Sequence, residues 1–483
     1  MTTASSTELS ERTIHFVSLG CPKNRVDTEV MLGVAEGAGY RQVADPAEAQ
    51  VIVVNTCGFI DAAKKESIDT ILELSEHKRG GACERLVVTG CLSQRYSGEI
   101  ADEMPEVDNV LGSSDMLKLS RVLDGSGERV MVGNPAEWVM GASDPRRVST
   151  RGRSAYVKIA EGCNRTCAFC VIPQIRGKQR SRVADDVVRE VEALAAQGVL
   201  EVNLVSQDTI AYGRDLESKS GLADLVRRVA EVPGIHWVRI HYLYPEKLDD
   251  ELIELLGGHP RVVPYIDMPL QHAADGMLRR MRRGHGGKRL YELVDRLKAK
   301  IDGVVLRSAF IVGHPGETAP EFDELLAFVR YAELDHVGVF RYSDEPSATA
   351  YDLPDKVSEK VAASRASRLM AVQRPISRRK NRARIGSELE VLVEGPSETE
   401  DFVFVGRHAG QAPEVDGSVY LSGGEVRPGE LHTVRITQAS DYDLVGELDD
   451  QDAEKSAAPS EPPRANLSFK RSDGRQTALR TVR

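Results

Sequence analysis

The chain has 483 residues, a formal net charge of −11, 41% hydrophobic and 28% charged residues. That composition is globular and, at roughly 150 residues per domain, amounts to about three domains; it excludes a fibrous or wholly disordered chain, and the acidity disfavours a generic nucleic-acid binder. The polar opening residues do not read as a secretory leader and no run approaches ~18 apolar residues, so no membrane span and a cytoplasmic location are expected.

Residues 1–11 read as disordered. The following region, 12–140, has a repeating rhythm of strand, cysteine and helix. Apolar β-rich runs at His15–Ser18, Val51–Val54 and Leu86–Val88 lead to Cys21, Cys57 and Cys91, and helical patterns follow at Asp27–Glu36 and Asp61–His77. Alternating strands and helices predict a doubly wound parallel sheet, with ligands bound beyond the strand carboxyl ends. All three cysteines sit at that edge. Asp27 and Glu29 read as charges at the start of the first helix.

A polar stretch, 141–154, reads as a linker. A second rhythm fills 155–380, with strands at Tyr156–Ala160, Val202–Val205, Trp237–His241, Val263–Asp267, Leu306–Val312 and His336–Tyr342. Helices are expected at Asp185–Gln197, Leu222–Glu231, Leu290–Lys300 and Glu321–Tyr331, and a long basic exit helix at Lys356–Arg384. Six strands with crossover helices predict an incomplete (β/α)6 barrel whose reactive end is again at the strand C-termini. Region 381–448 carries five short β-rich runs, Leu389–Val393, Phe402–Arg407, Ser418–Leu421, Thr433–Thr437 and Leu444–Leu448, which predict a small OB-like antiparallel β-barrel. The tail, 449–483, reads as disordered.

Six of the seven cysteines belong to patterns; Cys83 reads as an inert packing residue. Cys163, Cys167 and Cys170 form a CxxxCxxC loop after the first barrel strand. Three thiolates there suit a 4Fe-4S cluster with one open iron, shielded by Phe169. A structural zinc site would want a fourth ligand at finger-like spacing, and none follows. Cys21, Cys57 and Cys91 form a second set of three.

The CxxxCxxC loop in this setting resembles the radical S-adenosylmethionine superfamily. Within it, the chain resembles the methylthiotransferase family through Leu19-Gly20-Cys21-Pro22-Lys23-Asn24, Asn55-Thr56-Cys57-Gly58-Phe59, Thr89-Gly90-Cys91-Leu92, Glu161-Gly162-Cys163, Ile172-Pro173, Arg176-Gly177 with Ser181-Arg182, Pro269-Leu270-Gln271-His272 and Ile311-Val312-Gly313. The resemblance covers about 12–448 and includes a C-terminal domain like the family's TRAM domain. It implies two 4Fe-4S clusters, one on each cysteine triplet, and S-adenosyl-L-methionine as both methyl donor and radical source. It implies that sulfur is methylated on the first cluster and passed to a carbon activated by the 5′-deoxyadenosyl radical. Cofactor contacts are expected from Gly313, Gly316 and Glu317 and from Ser206, Gln207 and Asp208, although many superfamily members carry Gly-Gly-Glu at the latter segment. His241, Tyr242, Tyr244, Gln271 and His272 are expected near the substrate pocket.

Family members act on tRNA adenosine or on the β-carbon of an aspartate in small-subunit ribosomal protein twelve. The segments Cys21-Pro22-Lys23-Asn24, Cys57-Gly58-Phe59-Ile60, His241-Tyr242-Leu243-Tyr244-Pro245 and Phe340-Arg341-Tyr342-Ser343 are similar to the protein-modifying members. Region 382–448 holds 5 Arg/Lys against 13 Asp/Glu, a net −8, which suits a basic protein partner better than phosphates. The basic segment Arg374–Arg382 and the tail Arg464–Arg483 are candidates for ribosomal RNA contact. The electron donor is not specified by the sequence.

Overall fold

The computed structural model describes residues 12–218, 220–398, 402–422, 426–448 and 468–469. The expected termini 1–11 and, apart from 468–469, the tail from 449, including its basic end, lie outside the described residues. Ser468–Phe469, expected to be disordered, pairs in parallel with Val17–Ser18.

The first unit is a parallel sheet ordered Tyr40–Gln42, Arg12–Ser18, Val51–Thr56, Arg85–Gly90, Asn109–Leu111, Val130–Met131. Alternate residues point to opposite faces, so each central strand feeds two cores. Phe16, Val53 and Val87 pack beneath the helix Pro22–Gly37, through Val26, Val30 and Met31. Val17, Val54 and Val88 pack on the other face with Ile71 and Leu74 of the helix Asp61–Ser75. Cys83 is buried in that second core.

The barrel unit contains two three-stranded parallel sheets, Ser154–Lys158, Glu201–Val205, Trp237–Ile240 and Tyr265–Asp267, Val305–Val312, His336–Arg341. A single bridge, Val238 to Val262, joins them, and the barrel stays open between first and last strands. The fourth strand starts at Tyr265 rather than at Val263 because Pro264 has no N–H to give to a ladder. The exit helix is Glu359–Arg382.

The C-terminal unit is a closed five-stranded barrel. The expected antiparallel arrangement needs one correction. Five strands in a ring cannot alternate direction all the way round, and the odd pair, Val419–Ser422 with Leu444–Leu448, is parallel.

Long-range ion pairs bear on two further expectations. The stretch from Gly141 to Ser154 is not a loose tether, because Arg146 binds Glu29 and Glu190 while Ser149 Oγ donates to Glu29 at 2.7 Å. The small barrel's acidic surplus is also largely engaged. Asp416 meets Arg307 at 3.3 Å, Glu414 pairs with Arg25, Asp441 takes Arg378 at 2.5 Å, and Glu390 meets His236 at 2.6 Å. The basic segment Arg374–Arg382 is tied down in turn, since Arg379 pairs with Glu333 and Lys380 with Asp335.

The small barrel closes the end of the open barrel where the strands begin. Trp237, Tyr265 and Val305, each at the start of its strand, pack on Leu392 and Ala412. Arg407 donates to Glu201 at 2.6 Å and Arg239 to the same carboxylate at 3.0 Å, all three groups fully buried. The two guanidinium groups outweigh the cost of burial and hold the Glu201 carboxyl down to about 2, against an ordinary 4.5. Because the folded value is the lower one, this contribution is full above pH ~5 and is lost as pH falls from 4.5 toward 2. Glu201→Gln, which takes the carboxylate from the buried Arg239 and leaves Arg407 only Glu394, is expected to cost about 3 kcal/mol or more. Limited trypsin digestion at neutral pH should then cut at the exposed Arg382 faster than in wild type; unchanged digestion would refute the assignment.

Candidate functional site

Each N-terminal cysteine leaves the sheet at the carboxyl end of a strand. Cys21 is the N-cap of the helix Pro22–Gly37, Cys91 is the first residue of the helix Cys91–Glu103, and Cys57 follows Val51–Thr56. Gly20, at φ +94°, has to be glycine: an added Cβ would stand 2.9 Å from the Cys57 Cβ. Asn24 ties the three loops together. Its Nδ2 donates to Leu19 O at 2.9 Å and Thr56 O at 3.0 Å, and its Oδ1 lies 3.6 Å from the Cys91 Sγ. Ser67 fixes Cys57 through both its backbone N–H and its carbonyl, each at 3.0 Å. Burial pushes the Cys57 thiol up, with the Cys91 and Cys21 sulfurs adding to it, so the three sulfurs feel one another.

The second triplet sits on the loop after Ser154–Lys158. The Cys163 N–H donates to Gly177 O at 3.1 Å, and Cys170 N–H to Cys167 O at 3.1 Å. Burial lifts the Cys163 thiol to about 11 and the Cys170 thiol to about 12, the latter raised further by Cys167 and Cys163. Arg283 Nη1 donates to the Cys167 sulfur at 3.4 Å, and Arg165 N–H to the Cys163 sulfur at 3.4 Å. Phe169 packs with Ala274, Met277, Met281 and Ile311 to form an apolar wall.

Two crossed contacts bring the triplets to one seam. Arg176, six residues after Cys170, donates to Cys91 Sγ at 3.3 Å and to Asn24 Oδ1 at 2.6 Å. Lys23, two residues after Cys21, places its ammonium 3.7 Å from the ring centre of Tyr242 at the end of the third barrel strand. Cys91 and Phe59 also share an apolar cluster with Val171 and Ile175. Along this seam Cys21, Lys23, Cys57, Cys167, Cys170, Gln207 and Tyr242 keep partial exposure, while the layer beneath them is buried. The arrangement is a partly open chamber over a buried floor.

That floor is ionic. Arg176 donates to Asp27 at 2.8 Å, Lys158 contacts Glu161 at 2.7 Å and also pairs closely with Asp27, and Gln207 donates to Glu161 at 2.5 Å. The cations act against the cost of burial and hold the Glu161 carboxyl down to about 2. Asp27 and Glu29 are therefore not helix-start charges, as expected, but buried anchors between the first two units. Glu345 is a further anchor that sequence reasoning missed. It holds Lys64 at 3.0 Å and Arg95 at 2.8 Å, beside Ser343, whose hydroxyl accepts from Asp61 N–H at 3.0 Å.

The other expected site residues are unequal. Asp208 binds Arg165 at 2.6 Å through one oxygen, while its Oδ1, the Gln207 Oε1 and the His314 Nε2 are buried without a partner among the described residues. Ser206 is fully buried against Thr209. Gly313 and Gly316 adopt φ of +83° and +74°, a turn for which their sequence suits them. Glu317 is occupied by Arg365 at 2.6 Å and His272 at 3.3 Å, so it braces that turn. His241 is likewise internal, between Asp267 and Asn203. Tyr244 is stacked between Arg165 and Arg283, at 3.6 and 4.1 Å. Tyr242 and Gln271 both hold left-handed φ, +59° and +74°, at strand ends.

These residues fit iron–sulfur clusters and S-adenosylmethionine. Free thiols are met by N–H and guanidinium donors, apolar walls stand beside them, and unpartnered polar atoms wait on the second strand's loop. Among the described residues no three Cys, His, Asp or Glu side chains are placed to hold a single metal ion. A cluster of several irons spreads its thiolates farther apart than one ion can. Arg176→Leu leaves Asp27 and Glu161 short of a buried cation and is expected to destabilise the metal-free protein by about 3–5 kcal/mol. Arg176→Lys should recover only part, since it cannot reproduce the fan of bonds. Chemical denaturation of the three proteins measures this; equal midpoints would refute it.

Comparison with known proteins is consistent with this geometry. Residues 13–112 match the uncharacterized protein family UPF0004, residues 157–329 the radical SAM superfamily and residues 385–448 the TRAM domain. The ribosomal protein uS12 methylthiotransferase RimO of Sorangium cellulosum is 65% identical over 98% of this chain and 97% of its own length. The protein of the same description from Anaeromyxobacter sp. is 49% identical over 93% of this chain and 96% of its own. Among solved structures, the radical S-adenosylmethionine methyltransferase TsrM of Kitasatospora setae has a TM-score of 0.49 at 15% identity over 68% of this chain and 72% of that one, too remote to inform the chemistry. With three matched domains and full-length relatives at this identity, the chain is an enzyme of the radical SAM superfamily and belongs to the RimO family of ribosomal protein uS12 methylthiotransferases.

Proposed function

We propose that the protein transfers a methylthio group to the β-carbon of an aspartate in ribosomal protein uS12. In this reading Cys163, Cys167 and Cys170 hold one 4Fe-4S cluster, and Cys21, Cys57 and Cys91 hold a second. The units are 12–140 for the second cluster, 155–380 for the radical core and 381–448 for the TRAM domain. The observation that carries the reading is the pair of crossed contacts, Arg176 on Cys91 and Lys23 on Tyr242, which set both triplets on one chamber.

Bound there, the clusters and S-adenosylmethionine supply the methylthio group and the radical chemistry that an unactivated C–H bond requires, since such a bond is too weakly acidic for a protein base. The chain's residues do the rest. Gln207 and Asp208 offer unpartnered oxygens to a cationic amino group, and the Gly313–Gly316 turn lets the backbone approach an adenosyl group closely. Phe169, Met277 and Met281 exclude water from the radical triplet's side. Arg176 and Arg283 stabilise thiolates that burial alone would keep protonated.

The relatives' shared description supports a protein substrate, and so does the engagement of the basic helix segment in ion pairs, which leaves fewer cations for phosphates. Work on a ribosomal protein supports a cytoplasmic location. Among the described residues no helix is long and apolar enough to cross a membrane.

Two measurements test the reading. Anaerobic iron and sulfide analysis should give about eight irons per chain, falling to about four when Cys21, Cys57 and Cys91 are replaced by alanine. Mass spectrometry of a deletion strain should show loss of the methylthio mark from uS12 and not from tRNA; loss from tRNA alone would overturn the substrate.

A further inference from the structure

The chamber's floor is nearly balanced in charge. Lys158 and Arg176 are matched by Asp27 and Glu161, whose oxygens they share. Arg165 is matched by Asp208 and Glu246. Among the described residues Arg283 meets no carboxylate, but it is buried, with one nitrogen on Cys167 and another on the Pro269 carbonyl at 2.7 Å. Lys23 differs from all of these. Among the described residues no carboxylate stands within ion-pairing distance of its ammonium, which rests instead on the face of Tyr242. The side chain keeps partial exposure at the seam.

The support beneath it is built at some cost. Tyr242 is a non-glycine residue at φ +59°, a conformation costing on the order of 1 kcal/mol or more, and its N–H is held by the Asp267 carboxylate at 3.3 Å. The next strand end repeats the device at Gln271, φ +74°. The strained backbone turns the Tyr242 ring under the ammonium. A cation–π contact fixes a cation without neutralising it, so the charge remains available to an anion arriving from the open side.

The proposed substrate brings such an anion. An aspartate β-carbon is bonded directly to the carboxylate carbon, so any geometry that offers the β C–H to the chamber also carries a full negative charge into it. An unpaired carboxylate there would lose its hydration without compensation. We propose that Lys23, seated on Tyr242, binds the carboxylate of the target aspartate and so fixes which carbon faces the chemistry. Lys23 is a specificity-determining residue in this account, which rests on the substrate reading above. The ammonium pairs with the carboxylate on its exposed side, and Tyr242 holds it from the other. Asparagine at the target position would present a neutral amide of nearly the same shape and forfeit the charge pair.

The test is a two-by-two binding comparison. Anaerobically reconstituted full-length enzyme, wild type and Lys23→Met, is titrated with uS12 carrying either the target aspartate, located by mass spectrometry, or asparagine there. Lys23→Met should weaken the aspartate form about tenfold or more and change the asparagine form by less than about twofold, the non-additivity expected of a direct charge pair. Lys23→Arg should retain most of the aspartate preference. Equal weakening of both forms, or none, overturns the proposal. Iron lost from Lys23→Met with uS12 binding unchanged also overturns it, by placing the cation on the cluster instead. Failure of the wild-type enzyme to bind uS12 overturns the substrate reading itself, and shows before any substitution is made.

Discussion

The Arg176 guanidinium is the constraint on which the site depends. It rises from the short helix that follows the CxxxCxxC loop and ends fully buried among Asn24, Asp27 and Cys91, all from the other unit. A buried arginine is tolerated only where its donors are met with good geometry, and here carboxylate, amide and sulfur meet them together. If the two units separated, Arg176, Asp27 and Lys158 would each face the seam with broken pairs. The interface therefore has one favourable seating rather than a sliding range. This seating also decides where the cysteines point, because Asn24, which accepts from Arg176, is the residue that staples the loops of Cys21 and Cys57. Chamber geometry and domain docking are the same set of bonds.

The same logic extends to the small barrel. Its acidic surplus seemed to advertise a partner, yet Glu414, Asp416 and Asp441 face Arg25, Arg307 and Arg378 of this chain. What remains is the position: the barrel plugs the end of the open barrel where strands start, opposite the cysteine loops. Contacts made on the outer surface of this domain therefore act at the far end from the chemistry. They can hold a partner, but selection of one carbon has to occur at the chamber.

Local patterns were legible in the sequence and long-range pairings were not. The cysteines were readable because each recurs at a strand end, a relation carried within a few residues. The strands were readable for the same reason, with Pro264 trimming one of them. Asp27 and Glu29 were misassigned because their partners lie 131 and 117 residues away, at Lys158 and Arg146. The stretch around Arg146 looked like a linker for the same cause: a polar segment has no periodicity, and only the fold reveals that its charges are used. Glu345 was invisible alone, although its neighbour Ser343 lay in a recognised motif. The parallel pair in the small barrel was within reach, since an odd ring forbids full alternation. Lys23 belongs to a legible motif, but that no carboxylate among the described residues meets its ammonium is a property of the assembled seam.

Charge then operates on two length scales. At −11 overall the protein attracts a basic partner over distances near the Debye length, roughly 8–10 Å in physiological salt. Within the chamber Lys23 adds a cation that no carboxylate among the described residues balances. A nucleic acid is repelled by the first field before it can be drawn by the second. A basic protein with an acidic side chain at its target satisfies both. The long-range field governs encounter, and the short-range cation governs which side chain enters. Neither alone distinguishes one aspartate in a basic protein from its many other groups; the combination requires a carboxylate presented on a positively charged surface.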